Sequence, residues 1–519
     1  MHTIGSLFSE VESLRNQVVG FEISAQRNQE KILFYESENA RLLEMFRLLK
    51  IKLYGRKSER WESEEQIRLF NEVEFLAKTS TPGDDDKTLV EVKGHSKKRG
   101  KRLPLSSHLQ REIVRVELPL EERVGSDGTV LREIGKEVSE KLLFEPAKMK
   151  VIEYHRIRYG ADSGDTGIIA PPVVSIIPKS MATPSLLATI VTDKYADGLP
   201  LYRQEEIFER LDINLPRCTM ARWVMQCSEA CMPIWNVLQD RLMASPYLSC
   251  DETHVQVLKE KNRKPESKSW MWVRSNPSDV KKIILFDYDP HRSSDVAKRL
   301  FADYTGALQV DGNASYNILE KNEKLIRLGC NMHGRRKFKE ALVAGSKAGH
   351  SLAEIALKFY HELYEIEEKA KEQNLDFKDR HRLRILEAEP IWKMFNAWAI
   401  ENQSKVPPKS KIGQAFHYFL NEYEYLIGYL KDGAYELDNG FAERAIKYFA
   451  IGRKNWLFSD TEDGAQASSL FYSFVITAKI NKVNPYEALK KIFELIPTAK
   501  TIDDFEKLAD ILLTPLTIH

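Results

Sequence analysis

The sequence predicts a multidomain α/β protein, and three observations carry that prediction. Residues 245–330 alternate short apolar runs with turn residues, in the order strand, strand, strand, helix, strand, strand. Long stretches on either side keep the apolar spacing of helices. The chain has 519 residues, too many for a single hydrophobic core.

Bulk properties narrow the class. A hydrophobic content of 43% with 29% charged residues is that of an ordinary soluble protein, not of a disordered or membrane chain. The net charge is +1, so attraction to nucleic acid has to come from local basic segments. Five scattered cysteines, Cys218, Cys227, Cys231, Cys250 and Cys330, argue for a reducing compartment instead of a disulfide framework. No apolar run is long enough for a signal peptide or a membrane span, which predicts a cytoplasmic protein with no membrane partner.

Residues 1–60 are expected to form a coiled-coil oligomerisation helix. Val11, Leu14, Val18, Phe21, Ala25, Asn28, Ile32, Tyr35, Asn39, Leu42, Phe46 and Leu49 fall on one heptad seam. Asn28 and Asn39 are the polar breaks that set register, and the seam predicts a homo-oligomer. Residues 61–109 read as a linker and a basic arm. The arm, residues 93–102, includes Lys97, Lys98, Arg99, Lys101 and Arg102, has no acid, and suits contact with a phosphate backbone. Residues 110–165 read as a small β-rich unit, with strands at 111–116 and 148–159 around the turn Gly125-Ser126-Asp127-Gly128. Residues 166–242 read as a helical DNA-binding region, because a helix near 202–211, a turn and a second helix from Cys218 pair as in a helix-turn-helix.

Residues 243–475 are expected to form the catalytic domain, with a helical insertion at about 339–430, and 476–519 a C-terminal helical region. Three acids stand out. Asp251 lies inside a predicted strand, Asp311 ends the apolar run 306–310 and precedes Gly312, and Glu443 opens a helix after the turn Asn439-Gly440. Charge inside a strand is costly unless it is paired or binds a metal. Three carboxylates can hold two Mg²⁺ or Mn²⁺ ions roughly 3.5–4 Å apart, the arrangement of nucleases and strand-transfer enzymes. Spacing alone leaves a turn cap and a solvated helix acid equally open. The order of elements over 245–330 is nonetheless the ribonuclease-H-like one, which would put Asp251 and Asp311 on neighbouring strands.

Further motifs lie in order along nearly the whole chain. They are Leu53-Tyr54-Gly55-Arg56-Lys57-Ser58-Glu59, the run 194–205 beginning Lys194-Tyr195-Ala196-Asp197-Gly198, and Cys250-Asp251-Glu252-Thr253. Val310-Asp311-Gly312, the run 330–338 and Glu443-Arg444-Ala445-Ile446-Lys447 follow, and then the run 452–459. In that order the chain resembles transposases of the insertion-sequence-66 family. The resemblance implies a DDE transposase with a ribonuclease-H-like core and Asp251, Asp311 and Glu443 as its catalytic and metal-binding triad. It implies Mg²⁺-dependent (or Mn²⁺-dependent) cleavage at element ends and joining to target DNA, in a bacterial, nucleoid-associated setting. Small accessory proteins are possible partners. Many relatives carry a cysteine-rich unit after the basic arm. Here that unit has no cysteine, so no zinc is expected. Cys330 and His333 have ligand-like spacing, but two ligands do not make a structural zinc site. His333, Arg335, Arg336 and Lys337 are expected at DNA, as are Arg453, Lys454 and Trp456, the last either stacking on a base or packing. Two alternatives remain: a metal-dependent nuclease without strand transfer, and an inactive DNA-binding or assembly protein.

Overall fold

A computed structural model describes residues 26, 29–36, 39, 42, 149–156, 158–159, 168–169, 172–344 and 351–515. The basic arm and most of the heptad seam lie outside these residues, as does the predicted strand at 111–116. Of the seam, residues 29–36 are helical and expose Ile32 and Tyr35.

The chain divides into two compact units, one of them Lys57–Pro172. Within the described part of that unit, β1 (Arg158–Tyr159) pairs antiparallel with β2 (Ile168–Ile169). The strand expected through 148–159 is therefore present only at its end. Residues 149–156 are not in a strand, and Val151, Ile152 and Tyr154 are exposed, so the apparent alternation marks no buried face.

In the other unit, the described residues after 172 open with the helices α1 (Pro184–Tyr195), α2 (Leu201–Glu209) and α3 (Arg217–Met243), ahead of the sheet. Thr183 caps α1 by accepting from the Leu186 N–H at 3.3 Å. Along α3, Met220, Val224, Cys227, Cys231, Ile234, Leu238 and Leu242 recur every three or four residues and are buried.

The sheet strands are β3 (Tyr247–Lys259), β4 (Lys268–Ser275), β5 (Ile284–Asp289), β6 (Gly306–Val310) and β7 (Leu325–Gly329). The helix α4 (Ser294–Phe301) crosses between β5 and β6. The spatial order is β5-β4-β3-β6-β7. The first three strands are antiparallel hairpin neighbours, whereas β3, β6 and β7 run parallel. This is the element order expected from the sequence.

After β7 come α5 (Asn331–Ala344), α6 (Leu352–Glu372), α7 (Phe377–Leu383), α8 (Glu389–Gln403) and α9 (Lys411–Leu426). They bury a core of their own, running from Phe338 to Leu437 and rich in aromatic rings such as Tyr360, Trp392, Phe395 and Phe419. Arg384 is fully buried there and donates to both oxygens of Glu367 at 2.8 Å. Burial opposes ionisation of Glu367, yet the bonds from Arg384 and Arg380 prevail and hold it below the usual range.

The chain then returns to the sheet through α10 (Gly440–Trp456), a short β8 (Ser459–Thr461) on β3, and α11 (Glu462–Ile480). The last helices are α12 (Pro485–Leu495) and α13 (Ile502–Leu513). One hydrophobic core takes side chains from α1, α3, the sheet and α10 to α13. Positions 242 and 475, drawn above as domain limits, both fall within this shared packing, and 475 lies inside α11.

Candidate metal and nucleic-acid site

The parallel register of β3 and β6 sets the site. Tyr247 pairs with Ala307, Leu248 with Leu308 and Ser249 with Gln309. Two residues past that last pair stand Asp251, within β3, and Asp311, the residue that follows β6. Neighbouring strands are about 4.8 Å apart, so the two acids leave the end of the β3–β6 pairing side by side, close enough for Asp311 to raise the Asp251 pKa. The next parallel pair, Val310 with Gly329, brings Cys330 to the level of Asp311.

Glu443 arrives from far along the chain. Asn439, fully buried, donates from Nδ2 to the Cys250 carbonyl at 2.7 Å, which ties the start of α10 to the residue before Asp251. Its backbone N–H donates to Cys330 Sγ at 3.3 Å. Glu443 sits in the first turn of α10, where the helix dipole favours an anion.

The electrostatics are those of crowded negative charge. Burial pushes the Asp251 carboxyl well above the usual range, and Glu252, Glu443 and Asp311 push it further. Burial also raises Glu443, with Asp438 adding to it, against the pull of Arg336. Two arginines offset part of the charge. Arg292 reaches Asp311 Oδ2 at 3.1 Å and also donates to Glu252. Arg336 reaches Glu443 Oε2 at 3.2 Å. The other oxygen of Glu443, Oε1, is buried and has no hydrogen-bond partner.

Glu252, Arg292, Tyr316 and Asn439 were missed as site residues. Glu252 is buried and accepts from Tyr316 Oη at 2.6 Å as well as from Arg292. A second acid beside Asp251 in an apolar strand was the available signal. Arg292 carried none, because an exposed-looking cation before a helix cap has many uses.

His333 lies in the first turn of α5. Burial, followed by the Arg336 charge, lowers its pKa to about 4, so it is neutral at physiological pH. Its Nδ1 faces Glu443 Oε1 at 3.8 Å, which is therefore not an ion pair. Among the described residues, the group whose ligand atoms all lie within 4.8 Å of one another is Cys330, His333 and Glu443. Asp251 is an electrostatic neighbour of Glu443, but Asp251 and Asp311 lie outside that group.

The cations expected at DNA are distributed around this centre. Arg335 and Arg336 are exposed, Arg335 lying 5.9 Å over the Tyr364 ring, while Lys337 lies 4.8 Å over Tyr418. Arg453 donates to Thr253 Oγ1 at 3.3 Å and to the His254 carbonyl, on the strand that carries Asp251. Lys454 is exposed on α10. Trp456 packs edge-on to Tyr195 at 6.4 Å, and Lys194 lies 4.1 Å over its ring. Arg444 and Lys447, with Tyr448, continue the exposed face of α10. Lys97, Lys98, Arg99, Lys101 and Arg102 lie outside the described residues.

Two regions match known families. Residues 179–467 match the family described as Transposase IS66 family, and residues 41–114 match one described as Transposase C of IS166 homeodomain. The chain belongs to the IS66 transposase family. Relatives span most of its length. One from Sinorhizobium fredii (strain NBRC 101917 / NGR234), described as uncharacterized protein y4qI, is 30% identical over 91% of this chain and 89% of its own. Another from the same strain, uncharacterized protein y4jD, is 29% identical over 78% of this chain and 80% of its own. Membership in this transposase family implies DNA as a partner, and the family generally uses a divalent metal. Among the described residues of this IS66 transposase, no helix is long and apolar enough to cross a membrane.

Proposed function

We propose that this transposase cleaves DNA at the ends of its element and joins those ends to target DNA, with Asp251, Asp311 and Glu443 as its catalytic and metal-binding carboxylates. The observation that carries the reading is that Asp251 and Asp311 each follow the last β3–β6 pair by two residues, with Glu443 tied beside them through Asn439. The strand order β5-β4-β3-β6-β7, with a helix between β5 and β6, supports a ribonuclease-H-like core.

The residues fit a hard divalent cation. Their donors are carboxylate oxygens, Glu443 Oε1 is buried without a partner, and Asp251 is held in a surplus of negative charge. When bound, Mg²⁺ or Mn²⁺ supplies Lewis-acid activation of the attacking oxygen and stabilisation of the leaving one. The chain's own part is to hold and orient. Arg292 fixes Asp311, and Arg336 fixes Glu443 by one oxygen, leaving the other for a ligand. Arg335, Lys337, Arg444, Lys447, Arg453 and Lys454 would carry the phosphates past the acids. Water is the first nucleophile and a DNA 3′-hydroxyl the second, so no covalent link to the protein is required.

Incubating the full chain with DNA from the flanks of its own gene, with and without Mg²⁺, tests this. Nicks at defined end positions are expected only with Mg²⁺, and pre-cut ends should be joined to a target duplex. Asp251→Asn should lower cleavage more than about a hundredfold while DNA binding persists. Cleavage by that variant at the wild-type rate would refute the assignment. Cutting without joining would leave a nuclease.

A further inference from the structure

Beside the acids lies a ligand set of different chemistry. Cys330 follows β7, His333 is in the first turn of α5, and Glu443 is in the first turn of α10. The sequence offers no third ligand near Cys330 and His333; the return of α10 to the sheet supplies one. The ligand atoms of all three lie within 4.8 Å of one another.

The state of those atoms points to a ligand. His333 Nδ1 and Glu443 Oε1 are both buried, and neither has a hydrogen-bond partner. They face each other at 3.8 Å, too far for a hydrogen bond. A tetrahedral ion with bonds of about 2.0–2.3 Å separates its ligand atoms by about 3.3–3.8 Å. Arg336 engages only Glu443 Oε2, so it does not compete for Oε1. The Asn439 N–H donates to Cys330 Sγ, the kind of outer contact that supports a metal-bound thiolate. The side chains of His333 and Glu443 are 21% and 16% exposed, which leaves a way in from solvent and room for a fourth ligand.

We propose that Cys330, His333 and Glu443 form a binding site for a borderline-soft divalent ion of the Zn²⁺ class, sharing Glu443 with the carboxylate set. Sulfur and imidazole donors select such an ion over Mg²⁺. Binding releases the thiol proton to solvent as the metal–sulfur bond forms. A consequence, which rests on the function proposed above, is that the ion withdraws Glu443 from Asp251 and Asp311 and inhibits Mg²⁺-dependent cleavage.

Titration of the metal-free full chain with Co²⁺ reads the site directly, because Co²⁺ bound to a thiolate absorbs in the near ultraviolet. One equivalent of Co²⁺ should produce the band, and Zn²⁺ should bleach it. Cys330→Ser should abolish it, and His333→Ala, at the mouth of the site, should weaken binding at least tenfold. A chain with Cys227→Ala and Cys231→Ala, which removes the other closely spaced thiols, should keep it. No band in the wild type, or a band that survives Cys330→Ser, would overturn the proposal. Unchanged Co²⁺ affinity in His333→Ala would overturn it as well, and this arm stands even if Cys330→Ser misfolds. In cleavage assays, one equivalent of Zn²⁺ should suppress nicking by the wild type but not by Cys330→Ser. Absence of nicking under every condition would instead count against the proposed function, with the spectroscopic result still deciding the ion site.

Discussion

Asp251 is held where its charge is disfavoured. The causes are burial and then the neighbouring acids, with one opposing hydrogen bond from the Glu252 N–H at 2.8 Å. Its folded pKa lies well above the ordinary 3.8. The resulting penalty on stability is absent below the ordinary value, grows as pH rises between the two, and is complete above the raised one. Asp251→Asn removes that penalty. Without divalent metal at neutral pH, the variant should melt at or above the wild-type temperature, and the gap should narrow as pH falls toward the ordinary carboxyl value. Mg²⁺ at a hundred times its Kd should add about 2.7 kcal/mol to the wild type and much less to the variant. Thermal melts with and without Mg²⁺ check both. A second residue prediction concerns Arg292, which bridges Glu252 and Asp311. The Glu252 side chain is 0% exposed. Removing its guanidinium partner leaves a buried carboxylate short of compensation, so Arg292→Ala should cost about 3–5 kcal/mol in chemical denaturation.

At the scale of elements, α10 joins the acid centre to an exposed basic face. Glu443 occupies its first turn, and Arg444, Lys447, Tyr448 and Lys454 follow on the exposed side. Their spacing of three, four and seven residues keeps them on one face. Each phosphate contact should contribute about one counterion to the salt dependence of DNA affinity. Replacing Lys447 and Lys454 together by Ala should therefore lower the slope of log affinity against log salt by about 2, without altering the helical signal. An unchanged slope would place the duplex elsewhere. The same helix is held tightly to the protein: a Cβ on Gly452 would lie 2.0 Å from Tyr472 Oη, so α10 and α11 approach closely there.

For the whole molecule, the heptad seam bears on how many chains act together. Ile32, Tyr35 and Leu42, all on the heptad seam, are exposed in the single chain. Two or more copies would bury that stripe. Removing residues 1–53 should lower the molar mass measured by light scattering, and an unchanged mass would argue against self-association through this segment. Among the described residues, the two largest hydrophobic cores divide the labour. One core carries the sheet and the helices packed on it, and the other stabilises the excursion from Phe338 to Leu437 between Asp311 and Glu443.

Much of this was legible in the sequence because it is local. Apolar periodicity determined the strand and helix order over 245–330, and Asn439-Gly440 marked the start of α10. The acid inside β3 was conspicuous because charge there is costly. Periodicity misled at 149–156, where alternating residues face solvent and are not in a ladder. What only the tertiary structure decided are relations between distant segments. Parallel pairing of β3 with β6 brought Asp251 beside Asp311, and one buried side-chain bond from Asn439 ties the start of α10 to the residue before Asp251. The same return of the chain gave Cys330 and His333 a third ligand, and Arg292 two acids to bridge. Such contacts depend on packing across long chain separations, and spacing along a sequence carries no record of them.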